Sequence, residues 1–202
     1  MKTKERILLT SIDLFNRSGV VSVTTNHIAK AMEISPGNLY FHYDNKEEIL
    51  TELFKRMTAE TYQIWRIPKK VSKSPLEFIE ENFELYWKYR FFHREMYSLR
   101  RKDSALAKMW RTHIAKMMLL MDILYRRWVR EEKMIEIKKQ DEMEYISESL
   151  LAMATTFLQF FESAEKSSGK RSIERGKRHL TRLLMPYTTG ESKDEFEKFL
   201  KI

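Results

Sequence analysis

A short stretch near the N-terminus, residues 35–43 (SPGNLYFHY), carries side chains suited to contact with nucleic acid. The carboxamide of Asn38 can donate and accept a hydrogen bond, as the N6/N7 edge of adenine requires. Gly37 has no side chain, so its backbone can approach a partner closely. Pro36 offers an apolar ring for a thymine methyl group. The stretch therefore predicts a surface that reads base edges.

Caps and breakers divide the chain around this stretch into four predicted helices. The first covers residues 3–17, and the second begins after residues 24–25. Ser35 caps a short third helix, whose first position is a proline that loses nothing by lacking an N–H. The fourth begins after residues 44–45. The second and third helices are joined by a three-residue turn, which is typical of a helix-turn-helix.

Residues 6–54 resemble the N-terminal domain of the TetR family of bacterial transcriptional regulators. The resemblance rests on LF at 14–15, IA at 28–29, LYFHY at 39–43 and NKEE at 45–48. It implies that the third helix enters the major groove and that side chains near helix N-termini contact phosphates. The residues expected to contact DNA are Thr25, Asn26, His27, Pro36, Gly37, Asn38, Tyr40, His42 and Lys46.

Two positions depart from the family pattern. Glu33 stands in the turn where the family usually has glycine, and a non-glycine residue at positive φ costs on the order of 1 kcal/mol. Asn26 and His27 open the second helix, where relatives often carry arginine. We therefore expect little reliance on guanine at that position, and we expect His27 to face solvent or phosphate.

Bulk composition favours an acidic partner but does not locate its site. The chain has 202 residues and a formal net charge of +8. Within residues 1–50, six basic and six acidic side chains cancel. DNA binding there would depend on geometry and a few placed donors.

Sequence features also exclude several classes of protein. Cysteine is absent, which excludes disulfides and thiolate metal sites, and no histidine pair has metal-ligand spacing. We see no catalytic signature and expect neither a cofactor nor a metal. No apolar stretch is long enough to span a bilayer and no signal-peptide core follows the N-terminus, so we expect a cytoplasmic protein without a membrane partner.

Apolar residues recur at three- and four-residue spacing, and strand-like alternation does not persist, so we predict an all-α fold. Prolines and basic residues in RIPKKVSKSP, residues 66–75, indicate the main boundary, and residues 93–103 are predicted as a connecting segment. The predicted divisions are a helix-turn-helix domain at 1–50, a fourth helix at 45–66 as connector, a helical ligand-binding and dimerisation domain at 75–188, and a tail at 189–202.

The second predicted domain is rich in methionine and aromatic residues. Each of these residues is best explained as helical core, but together they also suit an adaptable apolar pocket. The resemblance implies a small-molecule inducer, with Arg90 or Arg94 as a possible partner for an acidic head group. The predicted ligand contacts are Phe83, Trp87, Trp110, His113, Met117, Met121 and Phe157.

The last two main helices of this domain are predicted to form a dimer surface, as the family's equivalents do. A glycine on an apolar face permits close helix approach, although these residues could instead pack within their own chain. A two-fold dimer would place two third helices roughly 34–36 Å apart on a near-palindrome. The predicted interface residues are Phe161, Gly176, Leu180, Leu183 and Leu184.

These observations favour a ligand-responsive, DNA-binding repressor that acts as a homodimer. One rival is an all-helical carrier of lipids or small molecules with a degenerate helix-turn-helix, which the balanced charge of residues 1–50 supports. A second rival is a helical enzyme built around His113, against which the missing catalytic motif argues. An activator is a third possibility, which nothing in the sequence separates from a repressor.

Overall fold

The computed structural model describes residues 2–66, 72–164 and 169–201. Within these ranges the chain forms α-helices and one 3-10 turn, and no residue belongs to a strand ladder. The helices are α1 (Thr3–Ser18), α2 (Thr25–Ala31), α3 (Pro36–Tyr40), α4 (Lys46–Ile64), α5 (Pro75–Lys88), α6 (Arg90–Lys102), α7 (Ser104–Arg130), α8 (Gln140–Ala164), α9 (Lys170–Leu184) and α10 (Gly190–Leu200), with the 3-10 turn at Met185–Tyr187.

The predicted all-α fold is confirmed, but the connecting segment predicted at residues 93–103 is wrong. The helix α6 covers most of it and buries Phe92, Met96 and Leu99 at helical spacing. Its last turn consists of three consecutive basic residues, which dilute the apolar pattern in the sequence. Of the predicted boundary segment, residues 67–71 lie outside the described residues.

The chain divides into two compact units. The first comprises Met1–Glu60 with Lys88–Trp110, and the second comprises Thr61–Trp87 with Arg111–Ile202. The helix α6 therefore groups with the N-terminal helices, whereas sequence analysis assigned it to the range 75–188. The assignment of DNA binding to residues 1–50, and of ligand binding and dimerisation to residues 75–188, stays a prediction.

Within the first unit, Asn16 fixes the joint between α5 and α6 to α1. Its side chain is buried, its Nδ2 donates to the carbonyl oxygen of Lys88 at 2.8 Å, and its Oδ1 accepts from the N–H of Phe91 at 3.1 Å. Both backbone groups belong to a break between helices, where intrahelical partners are missing. The ring of Phe91 then packs 5.4 Å from that of Phe15.

A second polar cluster in this unit centres on Glu60. Its carboxylate accepts from Lys88 Nζ at 2.7 Å, from the Tyr89 hydroxyl at 2.9 Å and from Arg56 Nε at 3.2 Å. Burial opposes ionisation of the carboxyl, but these hydrogen bonds together hold the pKa of Glu60 below its ordinary value. Arg56 also pairs with Glu5 at 2.7 Å, so the cluster joins α4 to α1.

The turn between α2 and α3 passes through the left-handed region at Glu33, with φ +57°. Glu33 thus has a backbone conformation that glycine adopts without strain. The turn remains well bonded, because the N–H of Ile34 donates to the carbonyl oxygen of Ala29 at 3.1 Å.

In the second unit, Gly176 of α9 permits close packing inside the chain. A Cβ built at Gly176 would lie 2.6 Å from ring atoms of both Phe83 and Phe157. This distance is far inside van der Waals contact, so the glycine is required by the chain's own core. The predicted tail contributes α10, whose Phe196 is fully buried in the same core.

A buried imidazole in the second unit lies among polar and charged neighbours. His113 Nδ1 lies 3.1 Å from the hydroxyl of Tyr62, and Lys116 Nζ lies 3.6 Å from the centre of the Tyr62 ring. Burial and then the nearby charge of Lys116 lower the pKa of His113 to about 4. The imidazole is therefore neutral at neutral pH.

We expect Glu33→Gly to raise the free energy of unfolding by up to about 1 kcal/mol, because glycine adopts positive φ without a Cβ clash. The matched control is Glu33→Ala, which removes the same charge but keeps a Cβ. Urea unfolding of the two variants measures the difference. Equal midpoints would contradict strain at this turn.

We expect the stability of the protein to fall as pH falls from 7 to 5, with His113 as one cause. In an unfolded chain the imidazole takes up a proton near its ordinary pKa of 6.5, whereas the folded chain resists protonation down to about 4. The stabilisation is complete above pH 6.5 and is lost as the pH falls from 6.5 to about 4. His113→Gln should flatten the dependence of the urea midpoint on pH, whereas exposed His179→Gln should retain the wild-type slope. Equal slopes in all three proteins would contradict this assignment.

Candidate functional site

The short helix α3 has one buried side and one open edge. Leu39 is fully buried, and Tyr43, just beyond the helix, is 1% exposed. Ser35 caps the helix, its Oγ accepting from the N–H of Asn38 at 3.2 Å. Pro36, Gly37 and Asn38 are all exposed on the open edge.

The open edge has properties that the protein's own packing does not need. A Cβ built at Gly37 would meet nothing closer than Ser35 Oγ at 4.0 Å, and the residue does not have positive φ. In the part of the chain that the structure describes, the carboxamide of Asn38 has no hydrogen-bond partner within the protein. Donor, acceptor and close backbone approach are all available to an external partner.

A reciprocal cap fixes the start of α2. Thr24 Oγ1 accepts from the N–H of His27, and His27 Nδ1 accepts from the N–H of Thr24, both at 3.3 Å. Since Nδ1 is an acceptor, the neutral ring carries its proton on Nε2. His27 therefore presents an N–H donor on an exposed side chain, which suits the predicted phosphate contact. Asn26 beside it is exposed.

A hydrogen bond between side chains joins α2 to α3. Thr25 Oγ1 and the hydroxyl of Tyr40 are 2.9 Å apart. The two predicted phosphate-contacting residues thus lie side by side, with Tyr40 45% exposed. His42 is half-buried, and its ring lies 5.2 Å from that of Phe41.

Lys46 is largely engaged inside the protein. Its Nζ donates to the carbonyl oxygens of Val20 at 2.8 Å and Val23 at 2.9 Å. The N–H of Val20 is in turn bound by Glu95 of α6 at 2.9 Å. These bonds hold the segment that leads into α2, and they leave one N–H of the ammonium for a phosphate.

Sequence reasoning did not select two apolar side chains that flank this surface. Phe41 is 85% exposed and Val21 is 70% exposed. Phe41 comes two residues after the buried Leu39, a spacing that places it on another side of the turn. The two-residue spacing could have indicated that Phe41 is exposed, since a side chain there cannot reach the core that buries Leu39.

A cavity of about 90 Å³ lies within the second unit, among α5, α7, α8 and α9. Of the predicted ligand contacts, Phe83 and Met121 line it. The lining residues that sequence reasoning did not select include Trp65, Phe78, Asn82, Tyr86, Tyr125 and Trp128. They lie on α5, on α7 and just after α4, and a helical repeat alone does not show which stripes meet.

The other predicted ligand contacts lie elsewhere. Trp110 belongs to the first unit, where its ring is 6.2 Å from that of Phe54. Phe157 packs against the Phe83 ring, with ring centres 4.9 Å apart, and against Gly176. Trp87, His113 and Met117 also do not line the cavity. Arg90 and Arg94 belong to the first unit, and Arg94 donates to the carbonyl oxygen of Asn16 at 3.1 Å.

The predicted dimer residues are mostly buried before any partner is present. Leu180 and Leu184 line the cavity, and Gly176 packs on phenylalanine rings of its own chain. Phe161 is covered by Arg175 at 4.4 Å and His179 at 5.0 Å, and Leu183 is half-buried. They therefore pack within their own chain, which is the alternative that sequence analysis left open. A role in an interface stays a prediction.

Exposed large apolar residues of the second unit lie on α7, on α8 and between them. Among the described residues they are Leu119, Ile123, Ile135, Tyr145 and Phe160, with 61%, 40%, 47%, 71% and 66% exposure. Across the described residues, no helix has the length and apolar character needed to cross a membrane.

Comparison with known proteins agrees with this architecture. A family model described as bacterial regulatory proteins, tetR family, matches residues 7–53. A second model, described as bacterial transcriptional repressor of the TetR type, matches residues 44–196.

Two curated relatives match the N-terminal part of the chain. The HTH-type transcriptional regulator QacR of Staphylococcus aureus is 33% identical over 66 residues, which is 33% of this chain and 35% of that protein. The biofilm operon icaADBC HTH-type negative transcriptional regulator IcaR of Staphylococcus epidermidis is 44% identical over 46 residues, which is 23% of this chain and 25% of that protein. The chain thus spans about a third or less of these relatives' length.

Solved structures extend the similarity along the chain. A TetR-family transcriptional regulator from Marinobacter aquaeolei VT8 is 28% identical, with a TM-score of 0.87 over 100% of this chain and 98% of that one. The SmeT–triclosan complex has a TM-score of 0.60 over 94% and 93%, and at 16% identity it shows the fold alone. With both family models matched and the second covering most of the chain, the protein belongs to the TetR family of bacterial transcriptional regulators, which are not enzymes.

Proposed function

We propose that this protein is a ligand-responsive repressor that binds a near-palindromic operator as a homodimer. The observation that carries the proposal is the open edge of α3, where Gly37 and Asn38 are exposed on a helix anchored by Leu39. In a helix-turn-helix, the N-terminal residues of the second helix meet base edges in the major groove. Repression agrees with the matched family's description and with IcaR, which is named a negative regulator.

The proposed readout assigns a separate role to each part of the surface. Asn38 reads adenine with its carboxamide, and Pro36 contacts a thymine methyl group. Gly37 lets the backbone approach the groove. Thr25 and Tyr40, already paired with each other, contact phosphates and fix the register, since such contacts position the protein without reading sequence.

The proposed homodimer forms through α8 and α9. Its support is that α8 leaves Tyr145 and Phe160 exposed, although apolar side chains of this size lower the free energy when they are buried. Phe160 adjoins the predicted interface residue Phe161. A second copy that covers these side chains would also supply the second recognition helix.

The proposed effector binds in the cavity of the second unit. The cavity is lined by methionine and aromatic side chains, which adapt to varied apolar ligands. Binding would favour a dimer geometry in which the two α3 helices no longer fit successive major grooves. The size of this effect is limited by the difference in the ligand's affinity for the two states.

Gly37→Ala separates a role in DNA binding from a role in folding. We expect the variant to be at least as stable as the wild type, by up to about 1 kcal/mol, because alanine favours helix and a Cβ has room. We expect operator affinity to fall about tenfold or more, since the methyl group holds the backbone away from the bases. Urea unfolding and fluorescence anisotropy with labelled operator measure the two effects. Wild-type affinity in a stable variant would contradict close approach at this residue.

Selection of random duplex DNA on the purified protein tests the function as a whole. We expect an enriched near-palindrome whose half-sites lie about one helical turn apart, and a dimer by light scattering at micromolar concentration. Asn38→Ala should lose discrimination at one position per half-site by about 1–3 kcal/mol. The exposed Gln63→Ala, which removes a carboxamide from α4 outside the helix-turn-helix, serves as the matched control. Binding that lacks sequence preference and disappears at moderate salt would instead support the carrier, which the balanced charge of residues 1–50 favours.

A further inference from the structure

Three of the polar side chains that line the cavity are already used by the protein. Among the described residues of the lining, Asn82 is the one with a carboxamide, and it is buried. Its Oδ1 accepts from Trp65 Nε1 at 2.9 Å, and its Nδ2 donates to the carbonyl oxygen of Phe78 at 2.7 Å. The first bond joins α5 to the segment after α4, and the second lies within α5, so using Asn82 for a ligand would break the protein's own contacts.

The same holds for other polar rings of the lining. The Tyr125 hydroxyl donates to the carbonyl oxygen of Ile135 at 3.1 Å and accepts from the N–H of Ile137 at 2.6 Å. Trp128 Nε1 donates to the carbonyl oxygen of Lys73 at 2.9 Å. Both rings thus turn their polar atoms to the backbone, and their carbon surfaces are left for the cavity.

No charged side chain lines the cavity in the part of the chain that the structure describes. Burial raises the pKa of the lining residue Tyr86 above its ordinary value, so its phenol is neutral. The half-buried Glu131, just after α7, is already paired with neighbouring side chains. Burial opposes its ionisation, but hydrogen bonds from Ser72, Lys133 and Arg127 lower the pKa of Glu131 to about 2.

We propose that the cavity selects small neutral molecules, aromatic or branched aliphatic, and excludes their ionised isosteres of either sign. The inference rests on the proposed function and names its effector class. An ion that enters would lose its hydration and find no counter-charge in the described lining, while the polar groups of Asn82, Tyr125 and Trp128 are already paired. A neutral apolar ligand loses nothing comparable and gains contact with flexible methionines such as Met121.

The test uses isosteric pairs on the full-length protein. Propylbenzene and 2-phenylethylammonium differ by a methyl group against an ammonium, and isobutylbenzene and phenylacetate differ by an isopropyl group against a carboxylate. Calorimetric titration measures affinity, and tryptophan fluorescence reports occupancy through Trp65 and Trp128. We expect both hydrocarbons to bind and each ion to bind about 100-fold more weakly or not at all. An ion that binds as tightly as its isostere, or failure of both hydrocarbons to bind, would overturn the proposal.

A pair of variants assigns binding to this cavity. Ala154 lines it and is buried, so Ala154→Leu should fill part of the space and weaken hydrocarbon binding tenfold or more. Ala115→Leu adds the same atoms to an exposed position on α7 and should leave affinity unchanged. Thermal unfolding confirms that both variants are folded. Equal weakening in both, or in neither, would place the hydrocarbon outside the cavity and overturn the proposal.

Release of operator DNA distinguishes this inference from the proposed function. Hydrocarbons that bind without releasing DNA would sustain the cavity's selectivity and contradict ligand-controlled repression. Ions that bind tightly and release DNA would sustain the regulator and overturn the neutral class. Both proposals stand if the hydrocarbons alone bind and lower operator affinity.

Discussion

The burial of Leu39 is the contact on which the conformation of α3, the proposed recognition helix, depends. The helix α3 has only five residues, far fewer than an isolated helix needs to persist in water. Its conformation is therefore set by its neighbours, through Leu39, through Tyr43 and through the Thr25–Tyr40 hydrogen bond. Because these contacts lie on one side of α3, the exposed residues on its other side are not required for packing.

The two units use buried polar groups in different ways. In the first unit, Asn16, Glu95 and Lys46 bind backbone groups of other segments, and so they fix where α2 begins and where α6 starts. In the second unit, Asn82 and Tyr125 bind groups of the cavity wall itself. Hydrogen bonds in the first unit fix the positions of its helices. Those in the second unit pair polar groups of the cavity wall, so that the wall presents mainly carbon atoms. Both follow from the high free energy of an unpaired buried polar group.

Local patterns were sufficient to predict the helix-turn-helix, because caps, turn residues and the family's motif lie close together in sequence. They were insufficient for the cavity. Trp110, Met117 and Met121 share a predicted stripe of α7, yet only Met121 lines the cavity, since the long helix meets different neighbours along its length. Periodicity gives the buried face of a helix but not the element that covers it.

The same limit explains α9. Leu180 and Leu184 have the spacing of an interface stripe, and the structure turns them toward the cavity of their own chain. Gly176, predicted as an interface residue, provides room for the rings of Phe83 and Phe157 in its own chain, and its role in an interface stays a prediction. Close approach of two helices favours a glycine on an apolar face, whether the neighbouring helix belongs to a second copy or to the same chain.

Residues 33 and 37 break local rules in opposite directions. Glu33 places a side chain where the backbone favours glycine, and Gly37 omits a side chain where the helix would accept one. Each departure costs on the order of 1 kcal/mol, which is a substantial part of the stability of a small domain. Sequences otherwise tend to agree with their structures at every level, and disagreements concentrate at functional sites. The packing of the protein does not require glycine at position 37, so we attribute this glycine to the proposed contact with DNA. Glu33 is exposed and lies three residues before Pro36, so in the proposed complex with DNA its carboxylate would oppose phosphate and limit non-specific binding.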